Sequence, residues 1–315
     1  MVIQLRLFSS SVPRNLFGFG SLAKSLKNTQ SVPFEVKQVV RPVGLHKPPM
    51  PLNEMTPEEV AKVAEEKGFG LMKAFNEYFD KEKKAERIKY LEEEMAKGGL
   101  YDLHTFRKTK GKIFVSPVSY FKAAKSLYFP NVPIHTSLSK EDAPYQLLDV
   151  MTGNLTVLRC YANVQGETVT KDYFKIKDTT ESYLTDKGYK IFKQEFPDAQ
   201  IVELSLSENA AKGFALKLAT GNLRKMVPEV RHNKYLIGSR KDLKRNIRDQ
   251  LLMQNVYTGY IYVIDADCKI RWLAAGNPES QDIKTLWKSV KGLQKELLEE
   301  RKKRELERAK SVNSE

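Results

Sequence analysis

The most regular pattern of apolar and polar positions in this chain lies near its end, at residues 259–276. Gly259 opens a run of β-branched and aromatic residues over 260–264, which is typical of a buried strand. The residues at 265–267 have the chemistry of a tight turn, and apolar and charged residues then mostly alternate. The pattern predicts a β-hairpin whose second strand ends in Trp272, followed after a short loop by a helix over 281–293.

Further strands and helices are predicted upstream of the hairpin. LTVLRCYAN (155–163) and DAQIVELSLSEN (198–209) are mostly apolar and are predicted to be strands. Helices are predicted over 171–187, 210–219 and 240–254. The resulting order, β-α-β-α-α-β-β-α, predicts a thioredoxin-like α/β domain, in which a mixed sheet carries helices on both faces.

The first half of the chain has a different pattern. Residues 31–55 are rich in proline, which disfavours a helix or a central strand, so we expect an extended linker. Thr56-Pro57-Glu58-Glu59 combines an N-cap, a first-turn proline and a capping-box glutamate, and Lys/Glu alternation continues to Lys97. We therefore expect an N-terminal helical extension. A short strand at 113–115 and an amphipathic turn or helix at 118–127 are predicted to follow it.

The composition of the N-terminus predicts a mitochondrial transit peptide. The segment contains many serines and four basic residues, and no acidic residue precedes Glu35; the basic residues are Arg6, Arg14, Lys24 and Lys27. Several apolar residues within the first eight positions can form one helical face, but no continuous apolar core typical of a secretory signal is present. We therefore expect import into the mitochondrial matrix.

These observations divide the chain into five predicted parts. They are a transit peptide at 1–34, a Pro-rich linker at 35–55, a helical extension with an aromatic-Pro-Asn segment at 56–139, a thioredoxin-like domain at 140–293 and a charged helical tail at 294–315.

The charge of the chain limits the partners but does not select one. The formal net charge is +14, and the basic residues are spread along the chain without a polybasic block. Such a balance suits an anionic membrane surface or RNA, and also an ordinary basic matrix protein. The basic positions within 240–248 lack an aromatic RNA-binding pattern, so we expect no nucleic-acid partner; an RNA- or ribosome-associated protein remains an alternative. No apolar run approaches the roughly 18–20 residues of a membrane-spanning helix.

The two cysteines do not form a recognisable redox motif. Cys160 lies within a predicted strand and is expected to be buried, whereas Cys268 lies in the hairpin turn and is expected to be exposed. Neither cysteine belongs to a CxxC motif, and Val256-Tyr257-Thr258-Gly259 lacks the proline that thioredoxins place before their third core strand. A matrix thiol-disulfide or peroxiredoxin-like oxidoreductase remains an alternative on the strength of the predicted fold alone.

The sequence contains no recognisable motif for metal binding, nucleotide binding or hydrolysis. The four histidines are scattered, and no HExxH motif, P-loop, GxSxG nucleophile motif or glycine-rich dinucleotide turn is present. We therefore predict no catalytic residue, no cofactor and no metal site.

Two blocks of sequence resemble those of the mitochondrial ATP synthase assembly factors that chaperone subunit 6 of the membrane sector. The first is Gly111-Lys112 followed by Leu127-Tyr128-Phe129-Pro130-Asn131. The second is Gly259-Tyr260-Ile261-Tyr262-Val263 with Asp265, then Ile270-Arg271-Trp272 and Gly276. The resemblance covers about residues 105–293, and Leu273-Ala274-Ala275 departs modestly from the family pattern.

The resemblance implies a protein that is not an enzyme and needs no cofactor. Such a protein would lie at the matrix side of the mitochondrial inner membrane, as a peripheral protein, and would hold newly made subunit 6 until subunit 6 joins the subunit 9 ring. The residues expected to act as client contacts or as structural positions are Tyr128, Phe129, Pro130, Asn131, Tyr260, Arg271 and Trp272.

Overall fold

The central feature of the fold is a six-stranded mixed sheet. The computed structural model describes residues 34–52, 101–140, 144–208 and 210–312. The strands of the sheet are β3 (Thr136–Ser137), β4 (Leu155–Tyr161), β5 (Ala199–Ser207), β6 (Tyr235–Ser239), β7 (Tyr260–Ile264) and β8 (Ile270–Ala275). Their spatial order is β3-β6-β5-β4-β7-β8, and β4, β5 and β6 are mutually parallel. The other three strands pair antiparallel to their neighbours.

Helices connect these strands and cover both faces of the sheet. The helices are α1 (Tyr101–Thr109), α2 (Leu147–Met151), α3 (Val164–Lys171), α4 (Asp186–Glu195), α5 (Ala210–Met226), α6 (Arg245–Gln250) and α7 (Ser280–Val312). Side chains that alternate along each strand divide into two apolar cores, one on each face. On β4, Leu158 and Cys160 belong to the core that includes α2, whereas Val157 belongs to the core that includes α4 and α7.

The connections confirm the predicted fold class. Strand β4 leads through α3 and α4 to its parallel neighbour β5, and the chain then returns through β7, β8 and the final helix α7. The order β5-β4-β7-β8, with a parallel first pair and two antiparallel pairs, is the thioredoxin-like arrangement. Strand β6, which the sequence analysis did not predict, extends the sheet beyond β5.

The predictions of the individual helices were less accurate. The helix predicted over 171–187 is wrong, because α3 ends at Lys171 and α4 begins only at Asp186. Two N-cap side chains set these starts: Asn163 accepts a hydrogen bond from the Gly166 N–H group, and Thr185 accepts one from the Gly188 N–H group. A cap directly after β4 therefore starts α3 earlier than the apolar periodicity indicated.

The helix predicted over 240–254 is also wrong. A 3-10 turn at Arg240–Asp242 is separated from α6 by Leu243, whose backbone is extended and whose side chain is fully buried. At the other end, Leu252 has a φ of 55°, which stops the helix. Helix α5 is longer than its prediction and continues to Met226, and the segment 118–127 forms turns without a helix.

The described part of the proline-rich segment, 34–52, contains no α-helix and packs against the domain. Strand β1 (Lys37–Gln38) pairs in parallel with β2 (Phe114–Val115), and Val39 and Val43 belong to an apolar core. The described residues of 34–52 and those from Asp102 onward form one compact unit. The predicted boundary at 140 therefore divides a continuous core, because Phe129 and Val132 are fully buried within that core.

Three predictions concern the N-terminal region and the C-terminal end of the chain. The predicted transit peptide, apart from residue 34, and the two predicted helical segments within 56–97 lie outside the described residues. The helix predicted over 281–293 and the charged helical tail predicted over 294–315 form one helix, α7, which continues without interruption to Val312. Within the described ranges, no helix is long and apolar enough to cross a membrane.

Candidate functional site

The two sequence blocks lie side by side at the edge of the sheet. Strand β8 is the last strand of the sheet, and the segment 121–129 runs along its free edge. Because unpaired strand edges are sites of uncontrolled association, this segment protects the domain. The backbone hydrogen bonds that join them are Phe121 N–H to Arg271 O (2.7 Å), Ile270 N–H to Leu127 O (2.7 Å) and Phe129 N–H to Cys268 O (2.9 Å).

Glycines allow the ends of the two blocks to touch. Gly276 has a φ of 68°, and a Cβ atom placed on it would lie 2.1 Å from the carbonyl carbon of Gly111. The neighbouring Lys112 ammonium group forms ion pairs with Glu279 at 2.7 Å and with Asp282 at 2.8 Å. Burial alone would lower the pKa of Lys112, but these two carboxylates raise it overall. The contact fixes the first block to the start of α7.

Tyr128 and Phe129 occupy different environments. The Phe129 side chain is fully buried, and its ring meets the ring of Tyr262 edge-on at a centroid distance of 5.2 Å. The Tyr128 side chain is half-buried, and the Lys269 ammonium group lies 5.5 Å from the centroid of its ring. Only Tyr128 of this pair therefore has surface available to a partner.

Pro130 is buried, and the half-buried Asn131 joins three chain segments through its side chain. The Asn131 Oδ1 atom accepts a hydrogen bond from the Leu148 N–H group at 3.1 Å, which satisfies a donor in the first turn of α2. Its Nδ2 atom donates to Gln146 Oε1 at 2.6 Å and to Met50 O at 3.0 Å. Asn131 therefore ties the proline-rich segment to α2.

The Arg271 side chain is buried and fully engaged. Its Nε atom donates to Phe121 O at 2.7 Å, and its two terminal nitrogens pair with Asp265 at 3.1 Å and Glu296 at 2.8 Å. Burial raises the pKa of Asp265, although the Lys269 N–H group and Arg271 partly oppose that shift. Arg271 thus joins the hairpin, the segment along its edge and α7.

Trp272 and Tyr260 are buried with their polar atoms satisfied. The Trp272 Nε1 atom donates to Pro117 O at 2.9 Å. The Tyr260 hydroxyl accepts from the Asn255 N–H group at 3.0 Å and donates to Asn255 O at 2.9 Å. Burial raises the pKa of Tyr260, so its phenol stays neutral.

The seven expected residues therefore lie mostly in the interior. Five of them are buried, and only Tyr128 and Asn131 keep partial exposure; the buried residues are Phe129, Pro130, Tyr260, Arg271 and Trp272. Their hydrogen bonds are made to other parts of the same domain. This geometry favours the structural alternative over the client-contact alternative for these five positions.

The position at which redox enzymes of this fold carry their thiols is closed by backbone contacts. Strand β4 leads to Asn163, which caps α3 and also donates through Nδ2 to Val256 O at 2.9 Å. A Cβ atom placed on Gly259 would lie 2.2 Å from Gly166 O. The first turn of α3 thus packs directly on the loop before β7, and a cap side chain replaces the cysteine pair.

Both cysteines are buried free thiols. Cys160 lies within β4, as expected, and burial raises the pKa of its thiol far above the ordinary range. The expected exposure of Cys268 is wrong, because the turn holds it at a φ of 64° with 2% of its surface exposed. Burial raises the pKa of Cys268 to about 11, despite a contact with Thr152. Neither thiol has the low pKa of a nucleophile.

The sequence analysis missed a buried ionic cluster in the sheet. Arg159 on β4 and Glu203 on β5 are paired in the strand register, and Arg231 contacts the same carboxylate from a 3-10 turn at Glu229–Lys234. All three side chains are at least 96% buried. Burial would raise the pKa of Glu203, but the two guanidinium groups lower it overall. We call these three residues the Arg-Glu-Arg cluster.

The Arg-Glu-Arg cluster also fixes neighbouring segments. Arg159 donates to Thr170 Oγ1 at 2.9 Å and to the carbonyl of Glu167, so it holds α3 against β4. Arg231 donates to Leu184 O at 2.9 Å. In the described part of the chain, no three His, Cys, Asp or Glu side chains are grouped so that they could hold a metal ion. The cluster therefore has the contacts of a structural element.

The architecture and the site together define a class of protein: a thioredoxin-like domain in which an asparagine cap replaces the catalytic thiols. Solved structures with partial similarity include a thiol:disulfide interchange protein DsbE from Chlorobium tepidum (15% identity, 52% of this chain and 92% of that chain, TM-score 0.32). A second is a protein disulfide isomerase from Bacteroides thetaiotaomicron (17% identity, 53% and 88%, TM-score 0.30). The fold assignment rests on the strand order and connections, not on these superpositions.

The chain belongs to the ATP10 protein family, which matches residues 23–293. A relative named mitochondrial ATPase complex subunit ATP10 from Candida glabrata is 35% identical over 93% of this chain and 97% of its own length. Relatives of the same name are 33% identical in Eremothecium gossypii, over 94% and 98% of the two chains, and 31% identical in Saccharomyces cerevisiae, over 82% and 88%.

Proposed function

We propose that this protein is an assembly factor of the mitochondrial ATP synthase, which binds newly made subunit 6 and promotes its association with the subunit 9 ring. The observation that carries the proposal is the similarity to relatives named mitochondrial ATPase complex subunit ATP10, which extends over almost the whole of both chains. The sequence resemblance of the two blocks to the subunit 6 chaperones supports the finer assignment, and the two blocks meet at β8.

The proposed role is not enzymatic. The α3 start carries an asparagine cap and packs against Gly259, so the junction has no thiol and no room for a Cβ atom between the two backbones. Cys160 and Cys268 are buried and hold their protons at neutral pH, because burial raises both pKa values. These features support a scaffold protein that binds partners through its surface, and they argue against a thiol-disulfide oxidoreductase.

The proposed location is the matrix side of the inner membrane, where the protein would be peripheral. The names of the relatives support a mitochondrial location, and the N-terminal composition supports import through a transit peptide over 1–34. The net charge of +14 supports contact with an anionic membrane surface.

The decisive experiment is deletion of the gene followed by pulse-labelling of mitochondrial translation products. We expect normal synthesis of subunit 6, its rapid loss during the chase, and a subunit 9 ring that lacks subunit 6. Cross-linking in the complemented strain should capture labelled subunit 6 on this protein. Stable subunit 6 in a normally assembled ATP synthase would refute the proposal.

A double substitution tests the oxidoreductase alternative in the same strain. The Cys160→Ala/Cys268→Ala variant removes both thiols of the chain. An assembly scaffold should restore assembly of subunit 6 with this variant, whereas an oxidoreductase should not. Salt-sensitive co-purification of matrix RNA with the wild-type protein would instead favour the RNA-associated alternative.

A further inference from the structure

Helix α5 has apolar side chains on two opposite faces. Its inner face packs on a small core of Leu138, Tyr235 and Ile237, to which Leu216 and Leu223 contribute. On its outer face, Phe214 is 65% exposed and Leu218 is 70% exposed. Residues four apart lie above one another on a helix, so Phe214 and Leu218 form one continuous apolar surface. Large apolar side chains grouped in this way indicate a surface that contacts another apolar phase.

The charged residues of helix α5 itself all have one sign. Helix α5 contains no acidic residue, and its four basic residues are Lys212, Lys217, Arg224 and Lys225. Lys217 and Lys225 are exposed, and neither forms an ion pair with a described residue. By helical spacing Lys225 lies on the same side as Phe214, and Lys217 lies at its flank. We call Phe214, Leu218, Lys217 and Lys225 the outer face of α5.

This combination of residues distinguishes a lipid surface from a protein partner. Lysine is depleted in the cores of protein–protein interfaces, because burying its ammonium group is costly. At a lipid interface, by contrast, a lysine stem packs beside apolar groups while its ammonium group reaches the phosphates. A helix that lies in the plane of a membrane has phenylalanine and leucine on one side and lysines beside them.

We propose that the outer face of α5 docks the domain on an anionic phospholipid bilayer. Phe214 and Leu218 enter the boundary between headgroups and acyl chains, and Lys217 and Lys225 contact the lipid phosphates. The proposal rests on the peripheral location given above and assigns the surface responsible for it. The sheet then lies behind α5, and the β8 edge with its two sequence blocks lies at the opposite end of the strand order.

The test is co-sedimentation of the purified full-length chain with vesicles. One set contains phosphatidylcholine only, and the other also contains phosphatidylglycerol. We expect binding to the anionic vesicles that weakens as salt is raised, because salt screens the lysine–phosphate attraction. The Phe214→Glu/Leu218→Glu variant should bind at least about tenfold more weakly, because it removes the inserted groups and adds negative charge.

Matched variants distinguish binding through the outer face of α5 from general effects of exposed apolar residues and of positive charge. Val118→Glu/Leu306→Glu changes two exposed apolar residues elsewhere, which are 79% and 63% exposed, and should bind like the wild type. Lys217→Gln/Lys225→Gln should lose about tenfold in binding to anionic vesicles. Lys187→Gln/Lys190→Gln, on the exposed side of α4, removes the same charge and should lose much less. Circular dichroism and the melting temperature show whether each variant is folded.

Three results would overturn the proposal. They are no binding of the wild type to anionic vesicles, equal binding by the Phe214→Glu/Leu218→Glu variant, and equal losses from the two lysine pairs. If that glutamate variant binds vesicles normally but no longer cross-links to subunit 6, the face is a client site instead. Vesicle binding is measured without ATP synthase, so its failure leaves the assembly role standing. Normal subunit 6 in the deletion strain would refute the assembly role without affecting lipid binding.

Discussion

Glu203 is the carboxylate with which the two buried guanidinium groups of Arg159 and Arg231 pair, so its charge should contribute strongly to stability. The Glu203→Gln substitution keeps the shape of the side chain but leaves Arg159 and Arg231 without a carboxylate in the core. Removing one partner of a buried ion pair typically costs about 3–5 kcal/mol. We expect a loss of this size in the free energy of unfolding, measured by urea denaturation with tryptophan fluorescence. Glu229→Gln, at an exposed position, is the matched control and should change it little.

The pH dependence of this loss follows from the direction of the pKa shift. The pKa of Glu203 in the folded protein is below its ordinary value of 4.5, because the attraction of Arg159 and Arg231 outweighs the effect of burial. The stabilisation is therefore complete above the unfolded pKa and is lost as the pH falls through the folded pKa. The difference in stability between the wild type and Glu203→Gln should be constant near neutral pH and shrink on acidification. A difference that grows in acid would contradict this account.

The two thiols should be unreactive in the folded protein. Thiolates are the reactive form, and burial raises the pKa of Cys268 to about 11 and that of Cys160 further. N-ethylmaleimide at neutral pH should therefore label neither cysteine within a time that fully labels both in urea. Mass spectrometry measures the extent of labelling. Fast modification of either thiol in the native protein would show that its site opens to solvent.

At the scale of residues, the charged positions within two predicted strands were a signal for the Arg-Glu-Arg cluster, which an analysis of apolar periodicity does not detect. Arg159 is the one charged residue of β4 and Glu203 the one charged residue of β5, and charged residues are rarely buried without a partner. The pairing itself could not be predicted, because it depends on the register between β4 and β5. Arg231 comes from a separate turn, and nothing in its local sequence indicates that it is buried.

At the scale of elements, strands were predicted better than helices. Strands β4, β5, β7 and β8 are buried on both faces, so each is rich in apolar and β-branched residues and is visible in the sequence. The helices begin at caps such as Asn163 and Thr185, and a single polar residue is a weaker signal than an apolar run. Strand β6 was missed because it directly follows a polar turn.

Two glycine-to-alanine substitutions on helices should have opposite effects. In α3, a Cβ atom on Gly166 would lie 2.9 Å from backbone atoms of Thr258 and Gly259, so Gly166→Ala forces the helix away from the loop. Overpacking of this kind typically costs about 1–3 kcal/mol. In α5, a Cβ atom on Gly221 would meet nothing within 4 Å. Gly221→Ala should stabilise the protein by about 0.5–1 kcal/mol, because alanine loses less backbone entropy in a helix.

Thermal and urea unfolding of both glycine variants, beside the wild type, measure these changes. The pair serves as its own control, since the chemical change is the same and only the surroundings differ. A neutral or stabilising Gly166→Ala would mean that the contact between α3 and the loop before β7 is looser than described. The absence of room for a Cβ atom at that junction would then lose its main support.

At the scale of the whole molecule, the two sequence blocks occur together because one block covers the edge strand that the other block forms. The segment 121–129 precedes β8 by more than a hundred residues and still supplies its missing hydrogen-bonding partner. Sequence analysis recognised both blocks and assigned them together to client contact or structure. It could not predict that they touch, because long-range pairing leaves no local pattern. Because these blocks are buried, partner binding is expected at other surfaces, such as the outer face of α5 with its exposed Phe214 and Leu218.

Helix α7 has a buried first part and an exposed last part, and truncation should separate their contributions to stability. Its 33 residues span roughly 50 Å. Leu286, Val290 and Leu293 are buried in the core, and Arg301 pairs with Asp198 at 2.7 Å. The side chains of 302–307 are exposed. A chain that ends after Arg301 should therefore keep its free energy of unfolding within about 0.5 kcal/mol of the full chain.

A chain that ends after Ser289 should not fold. It loses the buried side chains of Val290, Leu293 and Leu297, and their removal costs more than about 5 kcal/mol. That loss equals the whole stability of many domains. Circular dichroism and urea titration of both truncated chains test the contrast. If the chain ending after Arg301 also unfolds, the charged end of α7 stabilises the domain. If that chain folds but fails to support assembly of subunit 6, the same end of α7 contacts a partner, since the fold then does not need it.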